Sequence, residues 1–335
     1  MPTLHDVARH AGVSIATVSR VLRGISSIAP DTRERVLSSV AALGYAPNPL
    51  GQALRAGHIN AVALLVGDIE QGWYASLARD MQVALEEEGM DLLLFNLGHS
   101  ETRLREVLER AVSMRLRGVA LATSDHIPGA ALEPVRARLA EAGIALIAVG
   151  RNLEEIGIPS VAHDDEQASR IAVGHLVQRG YTPIAYMSRI RKSATGRVRF
   201  AGYLAGLAEH GIARDPAMEW DIAESYRFKA GYNVMRDAIA RGVGMRSVIA
   251  GSDELALGAM AAARDAGLRI PEDVAVLGFG GLEWGGYVRP ALTTLDADTS
   301  AFGKGFCTVL KALAGGGSAP PVSLVPRRLI ARESA

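Results

Sequence analysis

Near the start of the chain, GVSIATVSRVLRG (Gly12 to Gly24) gathers short hydroxyls, small side chains and arginine within two helical turns. Ser14, Thr17 and Ser19 carry hydroxyls suited to phosphate oxygens, and the Arg20 guanidinium can reach a guanine edge. With Ile15 and Ala16 beside them, such a helix could enter a major groove closely. The same residues would also suit an ordinary helical hairpin whose serines and threonines serve only as caps. A second set recurs after apolar runs: Gly67-Asp68, Asn96, Thr123-Ser124, Gly150-Arg151, Asp164-Asp165, Ser188-Arg189, Ser252-Asp253 and Gly280-Gly281. Polar and glycine residues at strand ends are what a cleft for a polar ligand needs, although strand ends are often polar in any case.

The first set needs helices to hold it. Thr3 is a plausible N-cap, with Leu4, Val7, Ala8 and Ala11 at helical spacing behind it. Asp6 early and Arg9 and His10 late suit the helix dipole. Gly12 stops this helix, and Ser14 caps a second, Ile15 to Leu22, whose Val18, Val21 and Leu22 face inward. Pro30-Asp31 opens a third helix, stopped by Gly44. Helix, tight turn and capped helix make a helix-turn-helix. Next, YAPNPLGQALRAG (Tyr45 to Gly57) combines linker prolines with a good N-cap and N1 pair, Asn48-Pro49, that opens one or two helical turns. So short a helix is unstable alone.

From Met1 to Gly57 the basic residues are Arg9, Arg20, Arg23, Arg33, Arg35 and Arg55, against Asp6, Asp31 and Glu34, whereas the chain as a whole has zero net charge. A small module for a polyanion joined to a larger, slightly acidic body is expected. At 335 residues, 49% hydrophobic and 21% charged, two or three globular domains are expected, with an aliphatic core because aromatics are only 5%. Cys307 is the only cysteine, which excludes an internal disulfide and a cysteine-based zinc site. Neither a signal peptide nor a long apolar run is evident, so a cytoplasmic location is expected.

The second set needs strands. Candidates are Ala61–Val66, Asp91–Phe95, Gly118–Ala122, Ala145–Val149, Val161–His163, Ile184–Met187, Ser247–Ala250 and Val274–Phe279. Between them lie helices such as Tyr74–Glu88, Thr102–Met114, Glu166–Arg179, Phe200–His210, Lys229–Ala240 and Leu255–Ala266. This alternation predicts parallel sheets wrapped by helices, in two lobes because one sheet cannot hold so many strands. The body carries no P-loop, no HExxH and no GxSxG elbow. His99, His126, His163 and His175 are scattered and read as surface or lobe-edge residues. No enzyme, cofactor or metal is expected.

Two segments, LHDVARHAGVSIATVSRVLRG and TRERVLSSVAALGYAPNPLGQALRAG, resemble the headpiece and hinge of the lactose-repressor (LacI/GalR) family of transcriptional regulators. The body segments HLVQRGYTPIAYMS, RFAGYLAGL, GSDELALGAMAAARDAGLRIPEDVAVLGF and PALTTLDAD are similar to the effector domain of the same family, itself similar to periplasmic sugar-binding proteins. The resemblance implies that Ile15, Ala16 and Arg20 touch base edges and that Ser14, Thr17 and Ser19 position the backbone. It implies that Leu54 wedges into the minor groove from a hinge helix that folds on DNA, though packing of Leu54 against the body would also account for it. Asn48 and Arg55 complete the DNA-facing set. For the effector, the resemblance points to Trp73, Tyr74, Thr123, Arg151, Thr195, Arg199, Tyr226 and Asp253.

Three departures stand out. Arg23 replaces the family's usual asparagine. Gly278-Phe-Gly-Gly281 replaces Gly-Phe-Asp-Asp, which removes two carboxylates. Arg189, Arg191, Lys192, Arg197 and Arg199 form an unusually basic segment. An anionic effector, such as a sugar acid or phosphosugar, would fit the last two, as would a solvated loop whose arginines never enter the cleft.

The expected fold is therefore an N-terminal all-α helix-turn-helix headpiece (1–46) with a short hinge helix (47–57). An α/β, two-lobed, periplasmic-binding-protein-like effector domain (58–335) follows. Lobe 1 is expected to take about 58–158 and 289–316, and lobe 2 about 159–288 and 317–335. The expected function is a repressor that reads a pseudo-palindromic DNA operator as a homodimer, with affinity set by a small polar effector between the lobes. Since VPRRLIARESA closes the sequence without a heptad run, no tetramer-forming tail is expected. The alternative is a sugar-binding receptor or enzyme with an incidental helix-turn-helix.

Overall fold

The computed structural model describes residues 2–22, 27–45, 58–123, 129–222 and 226–335. They form two compact units, Met1–Ile59 and Asn60–Ala335. Asn48, Leu54, Arg55, Arg23 and His126 lie outside the described residues.

In the first unit, α1 (Leu4–Ala11) opens on a reciprocal cap. The Asp6 N–H donates to Thr3 Oγ1 at 3.3 Å, and the Thr3 N–H donates to the Asp6 carboxylate at 2.9 Å. Gly12 ends it at φ +64°, a left-handed position that suits glycine. α2 (Ile15–Leu22) begins where the Thr17 N–H donates to Ser14 Oγ at 3.1 Å. α3 (Pro30–Leu43) has proline at its first position, where no N–H is missed. The three helices bury Val7, Ala8, Ala11, Val18, Val21, Val36 and Tyr45 against one another. Val18 is fully buried, and burial of such a side chain contributes about 1.5–3 kcal/mol.

The second unit is built on two six-stranded sheets. In the first the order is β11 (Val322–Val325), β5 (Ser160–His163), β4 (Ala145–Val149), β3 (Gly118–Ala122), β1 (Ala61–Val66) and β2 (Asp91–Asn96), all parallel. In the second it is β12 (Arg328–Ile330), β10 (Thr293–Asp296), β9 (Ala275–Gly280), β8 (Ser247–Ala250), β6 (Ile184–Ser188) and β7 (Glu219–Asp221). Only β12 there runs antiparallel, to β10. β1 and β3 are buried along their whole length, which is why they read as unbroken apolar runs rather than alternating ones.

Helices cover these sheets. In the first lobe α4 (Gly72–Glu86) and α11 (Thr299–Ala314) bury Leu77, Met81, Phe302 and Phe306 on β1, β3, β4 and β5, while α5 (Glu101–Met114) and α6 (Gly129–Glu141) complete the lobe. In the second, α7 (Asp165–Gln178) and α8 (Ala194–Glu209) pack on one face around Tyr186 and Tyr203. α9 (Phe228–Ala240) and α10 (Asp253–Asp265) pack on the other around Met235 and Met260.

The lobes differ from the sequence expectation in membership. β5 and β11, expected in lobe 2, pair within the first sheet, and β10, expected in lobe 1, pairs within the second. The cause is three crossings between the sheets. The chain leaves the first sheet after His163 to enter α7, returns after Asp296 to enter α11, and leaves again between Val325 and Arg328. β7, β10, β11 and β12 were not among the expected strands. Each is three or four residues long, and Thr293 and Thr294 are polar yet fully buried.

Candidate DNA-reading helix and ligand cleft

α2 turns two different faces outward and inward. Val18 and Val21 are buried, while Ile15 is 39% exposed and Ser14, Ala16 and Arg20 are exposed. Thr17 and Ser19 are half-buried at the edge. Ser14 Oγ and Thr17 Oγ1 lie 2.9 Å apart, so these hydroxyls shape the helix start as well as lying beside its exposed face. The outer face is thus short, flat and ended by one arginine.

In the body a cavity of about 590 Å³, partly open to solvent, lies at the carboxyl ends of both sheets. Thr123 follows β3, Gly150 follows β4, and His163 ends β5. From the second sheet come Gly251 and Ser252 after β8, and Phe279 and Gly280 at the end of β9. Trp73 and Tyr74 enter from the first turn of α4, Thr195 and Arg199 from the start of α8, and Tyr226 from the segment before α9. Arg327 enters from the crossing between β11 and β12.

Glycine at 150 has a physical cause. Its φ is +83°, and a Cβ there would stand 2.6 Å from the Trp73 ring. Gly280 has φ +144°, a region open in practice to glycine alone. The loss of a carboxylate from this strand end therefore goes with a backbone turn that a side chain would strain.

One charged cluster ties the wall together. Arg327 Nε donates to Asp165 Oδ1 at 2.7 Å, and Arg199 Nε lies 3.2 Å from the same oxygen. Arg327 Nη2 donates to His163 Nδ1 at 2.7 Å, and His163 Nε2 donates to the Ala297 carbonyl at 2.6 Å. That pattern fixes His163 as the neutral tautomer protonated on Nε2. Burial, helped by the adjacent Arg327 charge, pulls its pKa down to about 3. For Asp165, burial pushes the pKa up, but Arg199 and Arg327 together outweigh it and hold the carboxyl well below the usual range. Burial also pulls Arg327 down to about 10. The Arg199 guanidinium sits 4.7 Å from the Phe279 ring centroid and its Nη1 donates to the Gly251 carbonyl at 2.7 Å. His163, Ala297 and Arg327 each stand on a different crossing, so this cluster joins all three.

Other contacts bridge the lobes at the cleft rim. The Gly72 N–H donates to Glu254 Oε1 at 2.8 Å, and Arg227 Nη1 lies 3.3 Å from Glu70 Oε2. Trp284 stacks on Phe228 at 5.9 Å between ring centroids and lies close over Gly72.

Of the residues expected at the effector, Trp73, Tyr74, Thr123, Thr195, Arg199 and Tyr226 line the cavity. Two do not. Arg151 is buried behind the wall, its Nη1 3.4 Å from the Thr123 carbonyl. Asp253 is wholly buried, and its oxygens accept from Thr294 Oγ1 at 2.5 Å and the Leu282 N–H at 2.7 Å. Through these bonds the carboxylate braces β10 and the turn after β9, beside the wall residues Gly280 and Ser252. His163, expected at a surface or lobe edge, is buried on the wall because its two ring nitrogens are both paired there. Arg327 was not anticipated, since nothing in PRRL marks an arginine that folds inward. The basic segment divides: Arg199 lines the cavity and Arg189 is buried 5.7 Å from the Tyr226 centroid, while Arg191, Lys192 and Arg197 are exposed.

Among the described residues, no helix is long and apolar enough to cross a membrane, and no group of three or more His, Cys, Asp or Glu could hold a metal ion.

Comparison with known proteins agrees with both halves of this geometry. Residues 3–48 match the bacterial regulatory proteins of the lacI family, and residues 173–335 match the periplasmic binding protein-like domain. The chain is 30% identical to catabolite control protein A of Priestia megaterium, over 88% of this chain and 86% of that protein. It is 30% identical to the transcriptional regulator GalR of Escherichia coli (strain K12), over 88% of this chain and 84% of that one. A solved complex of the transcriptional regulator CelR with cellobiose superimposes with a TM-score of 0.73 at 28% identity, covering 100% of both chains. The Lac repressor dimer bound to operator shares the fold, with a TM-score of 0.88 at 24% identity over 99% of this chain and 98% of that one. With a helix-turn-helix headpiece, a two-sheet body and sequence identity running along most of their length, this chain belongs to the LacI family of bacterial regulators.

Proposed function

We propose that the chain is a dimeric, cytoplasmic repressor that reads a pseudo-palindromic operator with Ser14, Ile15, Ala16, Thr17, Ser19 and Arg20. Asn48, Leu54 and Arg55 of a hinge at 47–57 join that contact, between a headpiece at 1–46 and a body at 58–335. A small polar effector binds among Trp73, Tyr74, Thr123, Thr195, Arg199 and Tyr226 and sets operator affinity through its different affinity for the two postures of the lobes.

The observation that carries this reading is the cavity walled by both sheets, crossed by three strands of chain and bridged at its rim by Glu254 and Gly72. A ligand there touches both lobes at once, which is the condition for it to favour one posture. Against catalysis, both nitrogens of His163 are committed to hydrogen bonds, so this wall imidazole, the one among the described lining residues, has no free site for proton transfer. For a dimer, the edge strand β2 leaves Leu94 44% exposed, and Val83 on the adjacent α4 is 53% exposed. Such apolar surface fits a second copy.

The test is a gel shift on DNA upstream of the protein's own gene across a range of salt. Sequence-specific retardation that weakens steeply with salt, and that changes when a cavity ligand is added, is expected. Retardation indifferent to sequence overturns the reading.

A further inference from the structure

We propose that the cavity ligand is a polyhydroxy carboxylic acid whose carboxylate is received by Arg327, with Arg199 beside it, so that Arg327 sets ligand class. This rests on the cavity being the effector site.

The argument is one of donors left over. Arg327 is 6% exposed, and its Nε and Nη2 are taken by Asp165 and His163. Its third nitrogen, Nη1, is buried on the cavity wall with no partner. Trp73 Nε1 and the Tyr226 hydroxyl are likewise buried there without a partner. An unsatisfied buried donor costs roughly 1–3 kcal/mol, more when charged, and three of them around one cavity describe the groups a ligand must bring. All three can donate.

Acceptors are scarce by contrast. Among the described residues of the wall no aspartate or glutamate appears. Asp165 stands behind the two arginines and is engaged by both, and Asp253 is engaged by Thr294 and Leu282. A neutral sugar brings no charge to set against the Arg327 and Arg199 guanidiniums, of which Asp165 offsets one. A phosphate monoester brings about 1.5 to 2 negative charges, more than the one positive charge left when Asp165 offsets one of the two arginines. A planar carboxylate brings one charge and acceptors only, and matches a guanidinium edge. Trp73, Tyr226 and Phe279 offer ring faces for the carbon skeleton, and Thr195 offers a hydroxyl for its remaining polar groups.

The test is calorimetric titration of the full chain with D-gluconate, D-galactonate and D-glucuronate, with glucose and galactose, and with their 6-phosphates. The tightest binder is expected to be an acid, at least tenfold tighter than its neutral parent and weakening as salt rises. Arg327→Gln should cost that acid about ten- to a hundredfold, the range of a charge-assisted hydrogen bond, and Arg327→Lys should recover part of it. Since Arg327→Gln also loosens Asp165, Trp73→Phe supplies a second variant that removes one donor and keeps the ring; a loss of several-fold for the acid is expected. A neutral sugar or a 6-phosphate as the tightest binder, or an acid indifferent to both substitutions, overturns the inference and leaves the effector site standing. An acid that binds through Arg327 yet leaves operator affinity unchanged upholds the inference and overturns the effector role.

Discussion

Glu254 caps a helix that is not its own. Its Oε1 accepts the Gly72 N–H at 2.8 Å, and Gly72 is the first residue of α4 in the opposite lobe. Gln71, the residue in the cap position, provides no side-chain bond to that helix. A carboxylate at a helix N-terminus gains from both the hydrogen bond and the dipole, together about 1–2 kcal/mol. That gain exists only when the lobes meet.

Glu254→Gln is therefore expected to favour the open posture. Ligand affinity should fall roughly five- to thirtyfold, while thermal stability without ligand changes little because the side chain holds no core together. Titration of the variant against wild type checks this. Unchanged affinity would remove the contact from the closing mechanism.

Asp253 predicts a pH signature with a definite sign. Burial pushes its carboxyl up to about 6 from an ordinary 3.8, against the pull of Thr294 and Leu282. The folded state thus holds this proton more tightly than the unfolded state. The stability it contributes is full below about pH 4 and is lost as pH rises through 6, to a total of about 3 kcal/mol. Asp253→Asn cannot titrate, so the variant should gain on wild type by about that amount between pH 4 and pH 7.5 in urea unfolding. A difference flat across that range would place the pKa elsewhere.

Gly150→Ala should damage the cleft from the backbone. A side chain at φ +83° costs about 1–2 kcal/mol, and its Cβ would meet the Trp73 ring at 2.6 Å. Ring and loop cannot both stay. Loss of most ligand affinity, with a fall of a few degrees in melting temperature, is expected; normal binding would mean that Trp73 has no part in it.

On DNA, Arg20→Ala should cost about 1–3 kcal/mol on the specific operator. Leu54→Ala should weaken specific binding more than nonspecific binding, since a wedge matters only at a site that is kinked. Competition against random duplex separates the two terms. Equal losses on both duplexes for Leu54 would argue against a wedge.

Much of the fold was legible in residue patterns. β1 and β3 are apolar throughout because both faces are covered, and α1, α2 and α3 carry their own stop and start signals in Gly12, Ser14 and Pro30. β10 was not legible, because Thr293 and Thr294 are polar residues satisfied only by partners such as Asp253 and Ala335 that are distant in sequence. The site split in the same way. Trp73, Tyr74 and Arg199 stand at strand ends or early helix turns, where a pattern can find them. Arg327 and His163 owe their places to each other and to Asp165, a long-range ion cluster with no periodicity. Arg151 and Asp253 occupy strand-end positions, yet both are buried and held by hydrogen bonds to Thr123, Thr294 and Leu282.

The knot of His163, Ala297 and Arg327 sits where the chain's three passages between lobes converge. Leverage follows from that position. A ligand held by Arg327, as proposed, would bear on all three passages at once, while Glu254 and Trp284 meet α4 at the rim.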